Sequence, residues 1–329
     1  MLNEVAPVTT TFLRCASIRI HAGFTLTELI LSLTLGMIIV LAATGLMVAA
    51  KSAQSTQFAA AALQDTALYA LGNIARSVRQ AGYINFDQDE APILVTESMS
   101  PGILGLDNST LTATSPGIEN PKKSSNYASD VLAIRFFGSG SPDADNSILN
   151  CGGFGVKAPG SQRNAEPDRG WSIYYVANDG NGIPNLYCKY KKEKFTAQSI
   201  AQGVEAFQVL YEIDTDPDRT THQFLNASAI NALDAGIPES DRNSKSNWKK
   251  ITAVKIALMI RSENNANAEN GGAARTSPAV YELFGPAYSN AGSTPDSDAQ
   301  ILASSIPQAQ KGKIRKIIGT TIQLRNSVR

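Results

Sequence analysis

The feature that most constrains this chain is Leu29–Ala50, a block of 22 residues without a single charge. A helix of roughly 20 apolar residues crosses the hydrocarbon core of a bilayer, so the block predicts a membrane-spanning helix. Arg14 and Arg19 precede it, and Lys51 is the first charge after it. Positive flanks stay in the cytoplasm, which predicts a cytoplasmic N-terminus and export of everything beyond. A secretory signal peptide fits less well, because its apolar region spans only about 7–15 residues before a small-residue cleavage site.

One acid stands at the mouth of this block. Carried unpaired to mid-membrane, Glu28 would cost on the order of a few kcal/mol, so a partner is required. The cheapest partner is an amine. A cut after Gly23 would create one at Phe24, about one helical turn from Glu28.

Gly23, Phe24, Thr25, Leu26, Thr27, Glu28 and Leu29 resemble, position for position, the type IV prepilin signature. That signature is a leader ending in Gly, then Phe, a Thr-Leu-x-Glu-type segment and an apolar helix. The resemblance implies that a membrane prepilin peptidase cuts between Gly23 and Phe24 and N-methylates Phe24. It also implies that the Glu28 carboxylate pairs with the Phe24 amine of a neighbouring subunit during assembly. Residues 1–23 are then a leader, long for this family and open to an internal start, and stand outside the fold. Losing Glu4, Arg14 and Arg19 with it takes the formal charge from zero to −1. Such a balance offers no broad basic face, and nucleic acid is not an expected partner.

Past Lys51 the pattern becomes amphipathic. Phe58, Leu63, Leu68, Leu71, Ala75, Val78 and Ala81 recur at helical spacing, and Gly82 supplies a stop. One helix over residues 24–81 is expected, with 24–50 in the membrane and 51–82 laid by its apolar face on a sheet. Ser32, Thr34, Gly36 and Gly45 are small enough for close helix–helix approach. Residues 83–329 read as a β-rich, periplasmic head. Strands are expected at Asp130–Phe137, Trp171–Val176, Leu186–Lys191, Val204–Ile213, Ile251–Ile260 and Lys316–Leu324, the last broken at Gly319. Asn178–Gly182 is a hairpin turn. Glu97–Tyr127, Thr215–Asn247 and Ser262–Lys311 read as elaborated loops. The fold class is α+β: a long N-terminal helix on an antiparallel sheet.

Within the prepilins, several blocks resemble the PilW-type minor pilins. They are Arg79-Gln80-Ala81-Gly82-Tyr83, the segment from Gly203 to Tyr211 with Asp214, Trp248 with the strand through Arg261, and Leu324-Arg325-Asn326. The J-type pseudopilins of type II secretion share the architecture and are the next reading. A signal-anchored periplasmic binding protein or enzyme is the third. The resemblance implies a structural, non-catalytic subunit that begins in the bacterial inner membrane and ends in the pilus at the cell surface. Its implied partners are other minor pilins, the major pilin, the prepilin peptidase and the inner-membrane assembly platform.

Site chemistry is sparse. Without the leader's Cys15, Cys151 and Cys188 remain; in an oxidising compartment they read as one disulfide, the alternative being two free thiols. Asp214, Asp216 and Asp218 alternate as at the opening of a calcium loop, but the Gly and closing Glu of an EF-hand are missing. Calcium is the candidate ion there, against a solvated acidic turn, and no other cofactor is indicated. His222 reads as a solvated loop residue, and Lys189–Lys194 as the exposed face of a hairpin strand rather than a phosphate- or DNA-facing patch.

Overall fold

A computed structural model describes residues 23–85, 96–141, 143–214, 222–265, 278–289 and 297–326. The chain divides into two compact units, Met1–Lys51 and Ser52–Arg329. Helix α1, Leu26–Gln80, contributes to both. In the first unit every described residue is exposed, and this part of α1 is long and apolar enough to cross a membrane. Its few hydroxyls are satisfied within the helix: Ser32, Thr34 and Thr44 each donate to the carbonyl three residues earlier at 2.9 Å. An apolar phase demands this of a polar group.

In the second unit, the C-terminal half of α1 is followed by β1 (Ile103–Leu106), β2 (Ser109–Thr110), β3 (Lys122–Lys123), β4 (Val131–Phe136) and a short helix α2 (Ala165–Asp168). Next come β5 (Gly170–Asn178), β6 (Pro184–Lys191), β7 (Phe195–Gln202), β8 (Val204–Asp214), β9 (His222–Leu225) and α3 (Ala227–Leu233). The series ends with β10 (Ile251–Asn265), β11 (Val280–Glu282), β12 (Gln300–Leu302) and β13 (Lys313–Gln323). Two antiparallel sheets dominate, ordered β1-β4-β5-β6-β7 and β13-β10-β8-β9. They are stitched at Asp130. Its N–H donates to the Phe207 carbonyl (2.8 Å), and its carboxylate accepts from the Val209 (2.8 Å) and Asn108 (3.1 Å) amides.

The expected fold class is therefore present, an apolar N-terminal helix with antiparallel sheets. Buried residues Leu63, Ala67, Ala70, Leu71, Ile74, Ala75 and Val78 of α1 join Leu132, Ile134, Tyr174, Leu186, Phe207, Val209, Ile256 and Leu258 from the inner sheet faces in one core. The outer faces are covered too. Tyr281, Leu283, Ile301 and Ile306 pack over Ala206, Ala257 and Met259, and Leu111 packs over Val131, Ala133, Ile173 and Tyr175. Strands buried on both faces read as continuous apolar runs rather than alternations, as VLAIRF in β4 does.

The expected turn at residues 178–182 closes the β5–β6 hairpin, with Asp179 Oδ1 accepting from the Asn181 (2.8 Å) and Ile183 (2.9 Å) amides. Other expectations need correction. Phe58 and Leu68 are exposed, not buried. At about 100° per residue, Phe58 lies about 160° around the helix from fully buried Ile74, and Leu68 falls just outside the stripe. The strand at the C-terminal end is not broken at Gly319, which pairs with Ala257 inside β13. A Cβ there would come within 2.6 Å of the Ile256 carbonyl, so the glycine permits close approach. The three segments read as loops hold β1–β3, β9 with α3, and β11–β12. These pieces are too short to show a period.

Two blocks far apart in sequence meet at the end of α1. Asn326 Nδ2 donates to the carbonyls of Arg79 (3.1 Å) and Ala81 (3.4 Å), which the helix end leaves without intrahelical partners. Gly82 turns the chain at φ +67°, and a Cβ there would lie 2.8 Å from the Asn326 carbonyl. Trp248 meets Tyr211 edge-on at 4.8 Å between ring centroids.

Across β8, β10 and β13 lies a buried ion cluster. The Glu205 carboxylate accepts two bonds from Arg315 (2.7 and 3.1 Å) and lies 3.3 Å from Arg261 Nε, with all three side chains at most 5% exposed. Removing one partner of such a cluster strands the others. Glu205→Gln should therefore cost about 3–5 kcal/mol, read by urea denaturation of the full chain. Gly82→Ala should cost about 1–2 kcal/mol from the left-handed backbone alone, by the same measurement.

Candidate functional site

The N-terminal segment folds as its sequence dictates. Gly23, Phe24 and Thr25 precede the helix, and Leu29 N–H donates to the Thr25 carbonyl (3.1 Å). Thr25 and Glu28 stand three apart, the spacing of a capping box, and they form one. Glu28 Oε2 accepts from Thr25 N (3.0 Å) and Thr25 Oγ1 (2.9 Å), while Thr25 Oγ1 accepts from Glu28 N (3.3 Å). Glu28 thus has a local partner within its own chain, which the sequence reading did not foresee. Phe24 is 83% exposed, and between it and Ala50 Glu28 is the sole charged residue. Gly36 and Gly45 have open space at the Cβ position.

In the head, Cys151 and Cys188 form a disulfide, both cysteines buried. It ties the loop before β5 to β6. Helix α1 grips the same loop, since Asn73 Nδ2 donates to the Cys151 carbonyl (3.3 Å) and Arg76 Nη2 to the Asn150 carbonyl (3.4 Å). The Tyr174 hydroxyl donates to Asn73 Oδ1 (2.6 Å) and shares a bond with Ser77 Oγ (2.7 Å).

The candidate calcium ligands are not brought together among the described residues: Asp214 ends β8, while Asp216 and Asp218 lie outside them. No group of three or more metal-ligating side chains occurs among the described residues. The backbone of His222 opens β9 opposite Asp214 rather than lying in a loop.

Sequence reasoning missed two charged clusters. Glu166 of α2 pairs with Arg135 of β4 and, at 3.3 Å, with Arg169. The Arg135 guanidinium lies over the Trp171 ring at 4.3 Å. Burial first, and the like charge of Arg169 second, push Arg135 down to about 10, which leaves it cationic at neutral pH. The second cluster is the one around Glu205. A signal for both was present: a lone charge inside an otherwise apolar strand, as in DVLAIRFF and GVEAFQV.

Lys189 is a further buried charge and corrects the reading of residues 189–194 as an exposed face. It is fully buried, its Nζ donating to Ser115 Oγ (2.9 Å) and lying 5.4 Å from the Phe195 ring. Burial pushes its ammonium down to about 8, against the pull of Glu119. Between that value and the ordinary 10.5 the unfolded chain binds more protons than the folded one, so stability must rise with pH there. Stability should therefore increase from about pH 8 to about pH 10, where the tyrosines begin to titrate in the unfolded chain. Lys189→Met should flatten that rise, as measured by urea denaturation across the range.

No curated protein matches the chain. Among solved structures, a type IV-like pilin from Thermus thermophilus, TTHA1219, aligns with 14% identity over 81% of this chain and 97% of its own, at a TM-score of 0.36. The family model described as Type IV Pilus-assembly protein W matches residues 173–326. That span begins within β5 and ends on Asn326, the residue that closes α1. Residues 173–326, which hold the segment from Gly203 to Tyr211, Trp248 and Asn326, are thus similar in sequence to the type IV pilus-assembly protein W family.

Proposed function

We propose that the protein is a minor pilin of a type IV pilus, a structural subunit that acts by assembly and not by catalysis. In this reading a prepilin peptidase removes residues 1–23 and N-methylates Phe24. The chain then sits in the inner membrane with its N-terminus cytoplasmic and its head periplasmic. With other minor pilins it primes a filament that the assembly platform extends with the major pilin. The pilus-assembly match over residues 173–326 supports a pilus role over a secretion pseudopilin.

The observation that carries the proposal is the continuity of α1. Its first half is wholly exposed and carries the lone charge Glu28 at its mouth, and it runs unbroken into a half that is part of the head core. Exposed Phe58, Leu68 and Tyr69 add an apolar surface beyond the membrane block that helix packing in a filament would cover. The capping box also gives Glu28 two separable tasks, closing the helix start and presenting a charge.

Mass analysis of the N-terminus of protein from its native membrane should find a chain beginning at N-methylated Phe24. An intact leader, or a cut beyond Ala50, would overturn the reading. Glu28→Ala should leave membrane insertion intact and abolish incorporation into pili. Glu28→Gln separates the two tasks, because glutamine at this position still serves a capping box but carries no charge. It too should fail to incorporate. Assembly restored by glutamine would show that Glu28 acts as a cap and sink the pairing with the Phe24 amine.

A further inference from the structure

The two large sheets have four edges, β1, β7, β13 and β9. A free edge exposes a row of backbone donors and acceptors that templates another strand, and natural proteins blunt it with shortness, lysine or proline. Strands β1 and β9 have four residues each. Strand β13 carries Lys313, Arg315 and Lys316. Strand β7 is neither short, charged nor proline-bearing: its eight residues, FTAQSIAQ, pair with β6 along their length with one extra residue at Ile200. Among the described residues it pairs with β6 alone. Phe195 and Ala197 rest against the outer-face cluster and Ile200 against the main core, which holds the strand in place, while Thr196, Gln198, Ser199 and Gln202 are exposed.

Charge is concentrated at one end of this edge. The β6–β7 turn holds Lys191, Lys192 and Lys194 against Glu193 alone. Two of these lysines are held in place: Lys191 Nζ donates to the Pro167 carbonyl (3.1 Å), and Lys192 Nζ sits 3.2 Å from the Phe154 ring centroid. The unpaired edge is therefore neutral along its length and basic at its start.

We propose that β7 accepts an added strand from a different subunit of the filament, an extended segment with acidic residues at the end that meets residues 191–194. Backbone bonds along the edge give the affinity, and the basic turn fixes direction and register. A second copy of this chain fits less well. Two-fold antiparallel pairing of β7 with itself would put each basic turn opposite the other copy's neutral Gln202 end, leaving it without an opposite charge.

The inference rests on the pilus-subunit reading, and the test separates the two. A photo-cross-linking amino acid is placed at Gln198 of the full chain, expressed in its own cell, and pili are purified. The expected product joins residue 198 to an extended segment of another pilus subunit, next to aspartate or glutamate. It should be lost in the Lys192→Glu, Lys194→Glu double variant, whose melting temperature falls by only about 2–4 °C because the one contact given up, that of Lys192 with Phe154, lies at the surface. A product with a second copy of this chain, no product from pili that contain the chain, or a product undiminished in the double variant would each overturn it. Absence of the chain from pili altogether would overturn the subunit reading, and this inference with it.

Discussion

The buried stripe on the C-terminal half of α1 is the surface on which the rest of the head is built. Ile74, Ala67, Ala70 and Val78 have no measurable exposure, and both large sheets turn their inner faces to the same core. A buried leucine, isoleucine or valine side chain is worth about 1.5–3 kcal/mol, so Leu63, Leu71, Ile74 and Val78 together outweigh any single polar contact in the head. Alanines at 67, 70 and 75 alternate with the larger Leu63, Leu71, Ile74 and Val78 along the stripe. Burial of this stripe holds Asn73, Arg76 and Ser77 within reach of the disulfide loop and of Tyr174.

Buried charge is the second organising element. Glu205 sits between two guanidiniums, and so does Glu166, and in each case the positive charges outnumber the negative. Such clusters add little net stability compared with an apolar core, yet each tolerates only one arrangement of its partners. The Glu205 cluster joins β8, β10 and β13. The Glu166 cluster fixes the segment before β5 to β4. The register of β8, β10 and β13 is thus constrained at a point where hydrophobic packing alone would allow slippage.

How much of this was legible in the sequence depends on which physical signal each part emits. The uncharged block, the Gly23–Leu29 segment and the apolar strands from Val131, Gly170, Val204 and Ile251 announce themselves, because burial on both faces demands long apolar runs. Strand β7 was invisible for the opposite reason: an edge strand of Thr, Ala, Gln and Ser has no period to detect. Lys189 was read as exposed because its neighbours Lys191, Lys192 and Lys194 mask a period-two position on the covered outer face. Phe58 and Leu68 misled because bulk suggested core, whereas the buried face is shared by Leu63, Leu71, Ile74 and Val78 with alanines at 67, 70 and 75. At the candidate site, the residues of the capping box were all in view, but their mutual bonds depend on side-chain geometry that spacing alone leaves open.

The contact of Asn326 with the end of α1 sets an order on the making of the protein. It joins residues 247 and 245 positions apart, so the helix emerges from synthesis long before the side chain that closes it. Contacts this distant in sequence are slow to form. In the proposed membrane topology, the head must wait for nearly the whole chain to cross before its first element is finished at both ends. A chain stopped before Asn326 keeps its anchor and most of its strands and still lacks that closure. The carbonyls of Arg79 and Ala81 therefore go without this side-chain donor until the segment after β13 has taken its place.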